Sequence, residues 1–584
     1  MSLCSLGLLA SCGEEIPTAR STPVGTKQPG TPRANPIWGG TLLVTHHDLA
    51  VVADADHDKL FVTPMTTGRV AAIALPEGSS PFRMAEDSNG NVQVVLRGTG
   101  ELAVVDPNAK KILSHTAVCP EPRGVTFDTT HQTTVVACEG GELVKVGLDG
   151  SQTVFRPGID LRDPVAIGSQ VWVSSFRAAT AIAVASDGTP AVTVTPPSIG
   201  FGTGTFVPGV VWKSLATADG DLVLVHQREV DGPVTSIQLS NAPPVPYYSN
   251  ACDSPVVRSA LSIVHQGTVV ASVETAANDP VDATLSPKAG IISIASPSQN
   301  SVTTTGLPAA GETSGGLCVS PGASVSHQVS GMPVGVGYTS DGTLVVHERE
   351  PFQIEFFPPD AQGVPSVKPT FTVGLANYTA EHDQQTGFNL FHTATSGGIA
   401  CMSCHPEAGD DGHVWGLFEG SVRTQTLKGG LTPTAPFHWK GELTDMTALL
   451  GETFVHRMGG TMPSAEVTQN LGDWLDRVPA SRPSITAPSD VLAKGESLFN
   501  SAGCASCHTG AALTNNTTVD VGTGGAFQVP SLRGVAARGP WLHDGCAKTL
   551  EDRFGACGGG AKHGSTGSLT PGDVSALVAY LRSL

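Results

Sequence analysis

Short hydrophobic runs alternate with polar positions from residue 37 to about residue 370, and Gly, Asp or Pro punctuates them. This pattern predicts β-strands joined by tight turns, and it contains hardly any helical period. Beyond residue 375 the apolar positions take a helical spacing, and residues 465–477 and 571–584 are amphipathic in that way. We therefore expect an all-β unit at residues 37–370 followed by an all-α region.

A proline-led phrase recurs through the β region, and each copy precedes a predicted strand. The copies begin at Pro81, Pro122, Pro164, Pro208 and Pro333. The first four starts lie 41, 42 and 44 residues apart, which is the length of one four-stranded propeller blade. Extrapolation back to about residue 39 and forward to Pro255 gives seven blades, with an insertion around residues 275–330.

This repeat predicts a seven-bladed β-propeller, and the unit resembles the YVTN and quinoprotein-like propellers. The segments Asp219–Leu224 and Asp341–Val346 look like the inner hairpins of such blades. An array of β-sandwiches is the alternative. We favour the closed propeller because closure hides the sheet edges of more than 300 residues.

Two pentapeptides of the form Cys-x-x-Cys-His stand in the helical region, at residues 401–405 and 504–508. Two thiols three positions apart can reach both vinyl groups of one porphyrin while the next side chain turns back to the iron. A zinc ribbon does not require His directly after both second cysteines. The motifs predict two covalent haem c groups, attached at Cys401, Cys404, Cys504 and Cys507, with His405 and His508 as proximal iron ligands.

The N-terminal residues have a different character. Residues 1–12 resemble a bacterial export signal, and Leu9-Ala10-Ser11-Cys12 matches a lipobox, which predicts acylation of Cys12. No Lys or Arg precedes the apolar run, so a misassigned start codon or an accidental match is the alternative. Residues 13–36 are rich in Pro, Thr and Gly and predict a flexible linker. We expect a periplasmic or outer-membrane-anchored lipoprotein of a Gram-negative bacterium, touching the membrane only through Cys12.

Cysteine usage and charge agree with export. Six cysteines remain after the haem thiols, Cys4 and Cys12 are set aside, and proximity in sequence pairs them as Cys119–Cys138, Cys252–Cys318 and Cys546–Cys557. Buried free thiols are the alternative to these disulfides. The net charge of −19 argues against nucleic acid as a partner and favours a basic redox partner.

The helical region repeats itself around the two pentapeptides. Residues 387–391 precede the first and residues 495–499 precede the second with the same Gly and Phe spacing. Residues 426–441 then match residues 531–545, and each half ends in one of the amphipathic helices. We expect a cytochrome c domain at residues 375–480 and another at residues 487–584.

With this internal symmetry, residues 375–584 resemble the bacterial di-haem cytochrome c peroxidase and MauG superfamily. The most specific stretch runs from Val529 through Pro540–Gly545 to Asp552. The resemblance implies that one haem takes peroxide while the other relays electrons from a small soluble cytochrome c or cupredoxin. It also implies a calcium ion between the domains, whose ligands the sequence does not identify.

Function depends on the sixth ligand of each iron. His563 is the candidate in the second domain, and Met458, with His456 as the alternative, is the candidate in the first. The acid–base candidates are His438, His543 and Glu442, although the family's Gln is missing from residues 442–452. In the family, positions such as His438 and His543 are structural.

Two functions stay open at this point. The chain is expected to be a di-haem oxidoreductase that passes electrons to peroxide, or a non-catalytic di-haem electron carrier whose propeller docks a protein partner. A quinoprotein dehydrogenase is a weaker third interpretation, since the β region contains neither a vicinal Cys pair nor a convincing metal cluster.

Overall fold

The computed structural model describes residues 35–584 except residues 66, 202–203, 235–255, 289, 314–323, 379–381, 418–419 and 485–486. The predicted signal, the lipobox at Cys12 and the Cys252–Cys318 pair lie outside the described residues. Within the described part of the chain, no helix is both long enough and apolar enough to cross a lipid bilayer.

Seven antiparallel sheets, each built from consecutive strands, make up the N-terminal unit. The strands of the first three sheets are Leu42–Val44, Leu49–Asp54, Lys59–Pro64 and Ala71–Ala74; Pro81–Glu86, Val92–Leu96, Glu101–Asp106 and Lys111–Ala117; Pro122–Asp128, Thr133–Cys138, Leu143–Gly147 and Gln152–Phe155. The strands of the fourth and fifth are Leu161–Ile167, Gln170–Ser175, Thr180–Val184 and Pro190–Val194; Ile199–Phe201, Gly204–Ala216, Leu222–Asp231, Val257–His265 and Thr268–Thr275. The strands of the last two are Asp282–Leu285, Ile291–Ser296, Ser301–Gly306 and Val325–Gln328; Pro333–Tyr338, Leu344–Glu348, Gln353–Phe357 and Phe371–Gly374.

The sheets form a closed ring, which confirms the seven-bladed propeller. Each blade has an inner strand that contacts the inner strand of the next blade, and the last inner strand, Pro333–Tyr338, contacts the first, Leu42–Val44. Gly335 and Gly337 allow that closure, because a Cβ atom at either position would collide with Leu42 or Val44. Apolar side chains fill the space between blades, as Leu60 and Val94 do between the first and second.

The predicted start of the sixth blade at Pro255 is wrong. The strand that follows, Val257–His265, pairs with Leu222–Asp231 and belongs to the fifth blade. The sixth blade begins at Asp282, inside the region where we expected an insertion. The 42-residue spacing fails here because residues 235–255 add length inside the fifth blade, between its strands Leu222–Asp231 and Val257–His265.

Two of the predicted disulfides are confirmed. Cys119–Cys138 joins the segment after the second blade to a strand of the third, and Cys546–Cys557 closes a loop in the C-terminal region. The four cysteines of the two pentapeptides are free thiols in the structure.

The C-terminal region contains two halves, each of which begins and ends with a helix and holds a short hairpin between them. Its helices are α1 His382–His392, α2 Cys401–Cys404, α3 Met446–Leu449, α4 Ala465–Arg477, α5 Ser489–Ser501 and α6 Pro571–Leu581. A π-helical segment, Leu450–Arg457, continues α3. Each half also holds a short hairpin, formed by Val414–Leu417 with Gly420–Arg423 and by Thr518–Asp520 with Ala526–Gln528.

In each half the first and last helices pack against each other at a glycine of the first helix. Helix α1 packs on α4 at Gly387, where a Cβ atom would meet the backbone of Asn470, and α5 packs on α6 at Gly495, where it would meet the backbone of Ala576. Ser464 caps α4 and Thr570 caps α6 through side-chain hydrogen bonds to backbone N–H groups. Since both crossings need the same close backbone approach, the two halves are built on one plan.

Candidate haem site

Each Cys-x-x-Cys-His segment follows the first helix of its half, α1 in the first half and α5 in the second. Cys401 and Cys404 lie on the short helix α2, and Cys504 opens a 3₁₀ turn immediately after α5. All four thiols are partly buried and unpaired. Each segment therefore offers two thiols, with a histidine directly after them.

The histidines of these segments are oriented by backbone carbonyls. Nδ1 of His405 lies 3.1 Å from the carbonyl oxygen of Gly409, and Nδ1 of His508 lies 3.4 Å from that of Leu513. Donation from Nδ1 leaves the Nε2 lone pair for a metal, and this second hydrogen bond is typical of metal-ligating histidine. Burial lowers the pKa of both rings, that of His508 to about 4, so the neutral form is favoured.

Both segments line one continuous cavity of about 1100 Å³. This volume is at the upper end of the range for pockets that hold small molecules and cofactors. Predicted site residues in its wall are Cys401, Cys404, His405, His438, Glu442, His456, Met458, Cys504, Cys507, His508, His543 and His563. Thiols, neutral imidazoles and an apolar wall form a donor set that fits a c-type haem at each segment.

The three candidates for sixth ligands differ in environment. His563 has a buried Nδ1 atom without a hydrogen-bond partner, and burial lowers its pKa to about 3. Met458 is 8% exposed and packs in the core beside Phe454. The side chain of His456 is 73% exposed and faces Glu452 at 3.3 Å, so it points to solvent.

The acid–base candidates His438 and Glu442 form a pair. Nδ1 of His438 lies 3.0 Å from Oε1 of Glu442, and Nε2 lies 3.3 Å from the hydroxyl of Thr453. Both ring nitrogens of His438 therefore have partners. The Glu442 carboxylate is 41% exposed and also lines the cavity.

His543 does not occupy the position equivalent to His438. The left-handed backbone position of His438, with φ of 66°, is matched in the second half by Leu542, with φ of 69°. His543 instead matches Trp439, and its ring stacks on Phe527 with centroids 3.9 Å apart. His438 and His543 therefore stand one position apart in the two copies of the phrase.

Two reciprocal hydrogen bonds join the halves. The N–H of Arg423, at the end of the first hairpin, donates to the carbonyl of His543 at 2.7 Å. The N–H of Gln528, at the end of the second hairpin, donates to the carbonyl of Trp439, also at 2.7 Å. Because each half donates and accepts through matching positions, the halves are related by an approximate two-fold axis.

The loop after the first pentapeptide enters the propeller. Glu407 is 1% exposed, and its carboxylate binds Arg162 at 2.5 Å and Arg97 at 2.9 Å, with Arg123 at 3.7 Å. These arginines belong to the second, third and fourth blades. Glu407 has φ of 55°, a left-handed conformation that turns its side chain into the propeller.

β-Bulges accompany two of the three arginines that bind this carboxylate, Arg123 and Arg162. Register shifts in the inner strands fall beside Arg83, Arg123 and Arg162, so each occupies a bulged position. Arg83 itself pairs with Asp163 rather than Glu407. Sequence reasoning missed this cluster, although an Arg lies one or two positions from the proline of each phrase in the second, third and fourth blades.

Electrostatics make the Glu407 contact strong. Burial alone would raise the pKa of Glu407, but the charges of Arg97, Arg162 and Arg123 hold it well below its usual value. The carboxylate is therefore ionised, as its partners are. A second contact fixes the same loop, since Asp410 binds Arg177 of the fourth blade at 2.8 Å.

The segment between the two halves also lies on the propeller. Arg482 donates to the backbone carbonyls of Arg97, Gly98 and Pro120, and Ser481 donates to Glu139. The backbone N–H of Arg482 binds Glu121 at 3.2 Å. The second and third blades therefore hold this segment as well as the Glu407 loop.

Within the described part of the chain, no three or more His, Cys, Asp and Glu side chains form a group that could hold a metal ion.

Residues 492–584 match the cytochrome c family model. These residues are a cytochrome c domain, a family that holds haem c covalently. No curated protein matches the chain. One similar solved structure is hydrazine synthase from Kuenenia stuttgartiensis, with 13% identity and a TM-score of 0.45 over 57% of this chain and 99% of that chain. Virginiamycin B lyase from Staphylococcus aureus is 11% identical, with a TM-score of 0.37 over 54% of this chain and 94% of that chain.

Proposed function

We propose that the chain is a di-haem c-type oxidoreductase of the cytochrome c peroxidase and MauG type, which reduces peroxide with electrons from a small soluble cytochrome c or cupredoxin. One observation carries this proposal: a single cavity holds a complete set of two thiols and one carbonyl-oriented histidine at each of two places. A haem bound at each set would supply one-electron transfer between ferrous and ferric iron.

The approximate two-fold symmetry supports a second cytochrome c domain at residues 375–480. The helix crossings at Gly387 and Gly495 and the reciprocal bonds of Arg423 and Gln528 repeat the plan of the matched domain. A haem at Cys401 and Cys404 agrees with that plan, since in both halves the Cys-x-x-Cys-His segment follows the first helix.

The sixth ligands would give the two irons different reactivity. We assign His563 to the second iron, because its ring lines the same cavity as His508 and burial favours the neutral imidazole, the form that binds a metal. We assign Met458 to the first iron, because it is buried in the cavity wall whereas His456 is exposed. A thioether is a weaker and more displaceable ligand than imidazole, so peroxide would react at the first haem.

The protons for peroxide reduction would pass through Glu442 and His438. Conversion of hydrogen peroxide to two waters consumes two electrons and two protons. Glu442 is in contact with solvent and with Nδ1 of His438, while Thr453 accepts or donates at Nε2. This pair takes the place of the missing Gln in holding and moving a proton at the cavity wall.

A di-haem electron carrier is the second candidate. The observation that favours it is that each half offers a sixth ligand, because two firmly ligated irons transfer electrons without turning over substrate. In that case the free surface of the propeller would dock a protein partner.

We also propose that the protein is exported and is anchored through Cys12 at the outer membrane. The two disulfides Cys119–Cys138 and Cys546–Cys557 support an oxidising compartment.

The test combines a pyridine haemochrome count with EPR and a peroxide titration of the purified holoprotein against a reduced small cytochrome. We expect two haems per chain, a high-spin signal from one haem on half-reduction, and peroxide turnover. Two permanently low-spin haems without turnover would establish the carrier instead. One haem per chain would overturn both di-haem functions.

A further inference from the structure

Two arginines from different halves line the cavity with donors that the protein leaves unused. The Nε atoms of Arg423 and Arg538 are buried without a hydrogen-bond partner. Both side chains belong to the cavity wall. A buried guanidinium N–H without an acceptor is costly, so its place in a cofactor cavity points to an acceptor supplied by the cofactor.

The charges around these arginines do not balance. Arg423 shares Asp410 with Arg177, each at 2.8 Å, and Arg177 also binds Asp160. Among the residues that the structure describes, Arg538 makes no ion pair; it donates to the carbonyl of Ser531. The guanidinium groups of Arg177, Arg423 and Arg538 thus outnumber the two carboxylates, Asp160 and Asp410. Asp160 also binds Arg123 of the third blade.

Arg538 is close enough to this group to be affected by its charges. Burial, followed by the charge of Arg423, lowers the pKa of Arg538 to about 10, and Asp410 opposes the effect. Arg538 also lines the cavity together with His508. The unmatched cation therefore lies near the second pentapeptide and at the contact between the two halves.

We propose that Arg538 and Arg423 bind propionate carboxylates of haem at the junction of the two halves. This inference rests on the proposed haem binding. The propionates are the anionic groups of haem, and guanidinium binds a carboxylate through two parallel N–H donors. Each half contributes one arginine of the pair. Arg423 ends the hairpin of the first half, and Arg538 precedes Pro540 in the second half.

The test measures the midpoint potential of each haem in holoprotein carrying Arg538→Gln, Arg538→Lys or Arg423→Gln. Loss of a cation beside a propionate favours ferric iron. R538Q should therefore lower the midpoint potential of one haem by at least about 59 mV, which is a tenfold change in a one-electron reduction equilibrium. R538K keeps the charge and should remain close to wild type. The control is Arg533→Gln, which loses a charge on the same segment outside the cavity wall.

Each outcome decides the inference. Unchanged potentials in both R538Q and R423Q, with full haem content, would overturn it. If R538Q does not fold, redox-induced infrared difference spectra of R538K decide, since lysine should shift the propionate bands and unshifted bands would contradict the contact. A wild-type count of one haem at Cys504 and Cys507 would defeat the proposed di-haem function, yet the potential of that haem would still test Arg538.

Discussion

Replacement of Glu407 by Gln tests whether the propeller fixes the loop that follows the first pentapeptide, residues 405–411. The carboxylate is buried among Arg97, Arg123 and Arg162. Gln has nearly the same shape, so the change removes the negative charge and leaves the packing in place. We therefore expect its effect to be electrostatic.

The structure sets the size of that effect. Arg97 keeps Glu121, and Arg123 keeps Glu139, after the substitution. Arg162 loses its one carboxylate partner among the described residues and retains backbone carbonyls. One uncompensated buried charge, rather than three, therefore remains. Removal of one partner from a buried ion pair costs about 3–5 kcal/mol, and we expect a loss of that size.

Urea unfolding of the haem-loaded protein measures the loss. Far-UV circular dichroism follows the strands and Soret absorbance follows the haems, so the two transitions are compared directly. The matched control is Glu452→Gln, because Glu452 is 40% exposed and pairs with His456 and Arg457. Exposed pairs of this kind contribute less than about 1 kcal/mol. A loss in E407Q no larger than that in E452Q would refute the argument.

Three further outcomes follow from the structure. His405→Ala or His508→Ala should each remove the low-spin spectrum of one haem while covalent attachment persists, and unchanged optical spectra in both would defeat the proximal assignments. His563→Ala should convert one haem to high spin in EPR, and a silent substitution would move the sixth ligand elsewhere. Burial lowers the pKa of His347 to about 3, so the unfolded chain alone gains a proton there between about pH 6.5 and 3 and stability falls as pH drops. In urea unfolding at several pH values, His347→Gln should reduce the change in unfolding free energy by up to about 1.4 kcal/mol per pH unit. The same pH dependence in the variant and the wild type would contradict this.

The propeller could be predicted from the sequence because its repeat is local. The proline-led phrase marks inner strands at Pro81 and Pro122, and the change to helical spacing marks the region that follows residue 375. The prediction failed at Pro255, where the fifth blade has extra residues and a fifth strand that broke the spacing. A fixed repeat length cannot distinguish a longer blade from an additional one.

The haem attachment residues could also be proposed from local spacing, whereas the surroundings of the loop could not. Glu407 meets Arg97 across 310 residues and Arg162 across 245. Contacts at such separations depend on how the ring closes and on bulges beside the arginines. The one-position offset between His438 and His543 can be read from the sequence, and the left-handed backbone of both His438 and Leu542 agrees with it.

The contacts of residues 405–411 assign the propeller a role in the site itself. His405 takes its orientation from Gly409, and this short loop is fixed on one side by Glu407 and on the other by Asp410, both bound to propeller arginines. Because the carbonyl that orients the imidazole lies between these two anchors, movement of either would turn the ring. Arg177 and Arg423 further link Asp410 to the contact between the halves. The same carboxylate therefore connects the propeller, the first pentapeptide and the cavity wall, which makes the propeller a structural part of the site around the first pentapeptide.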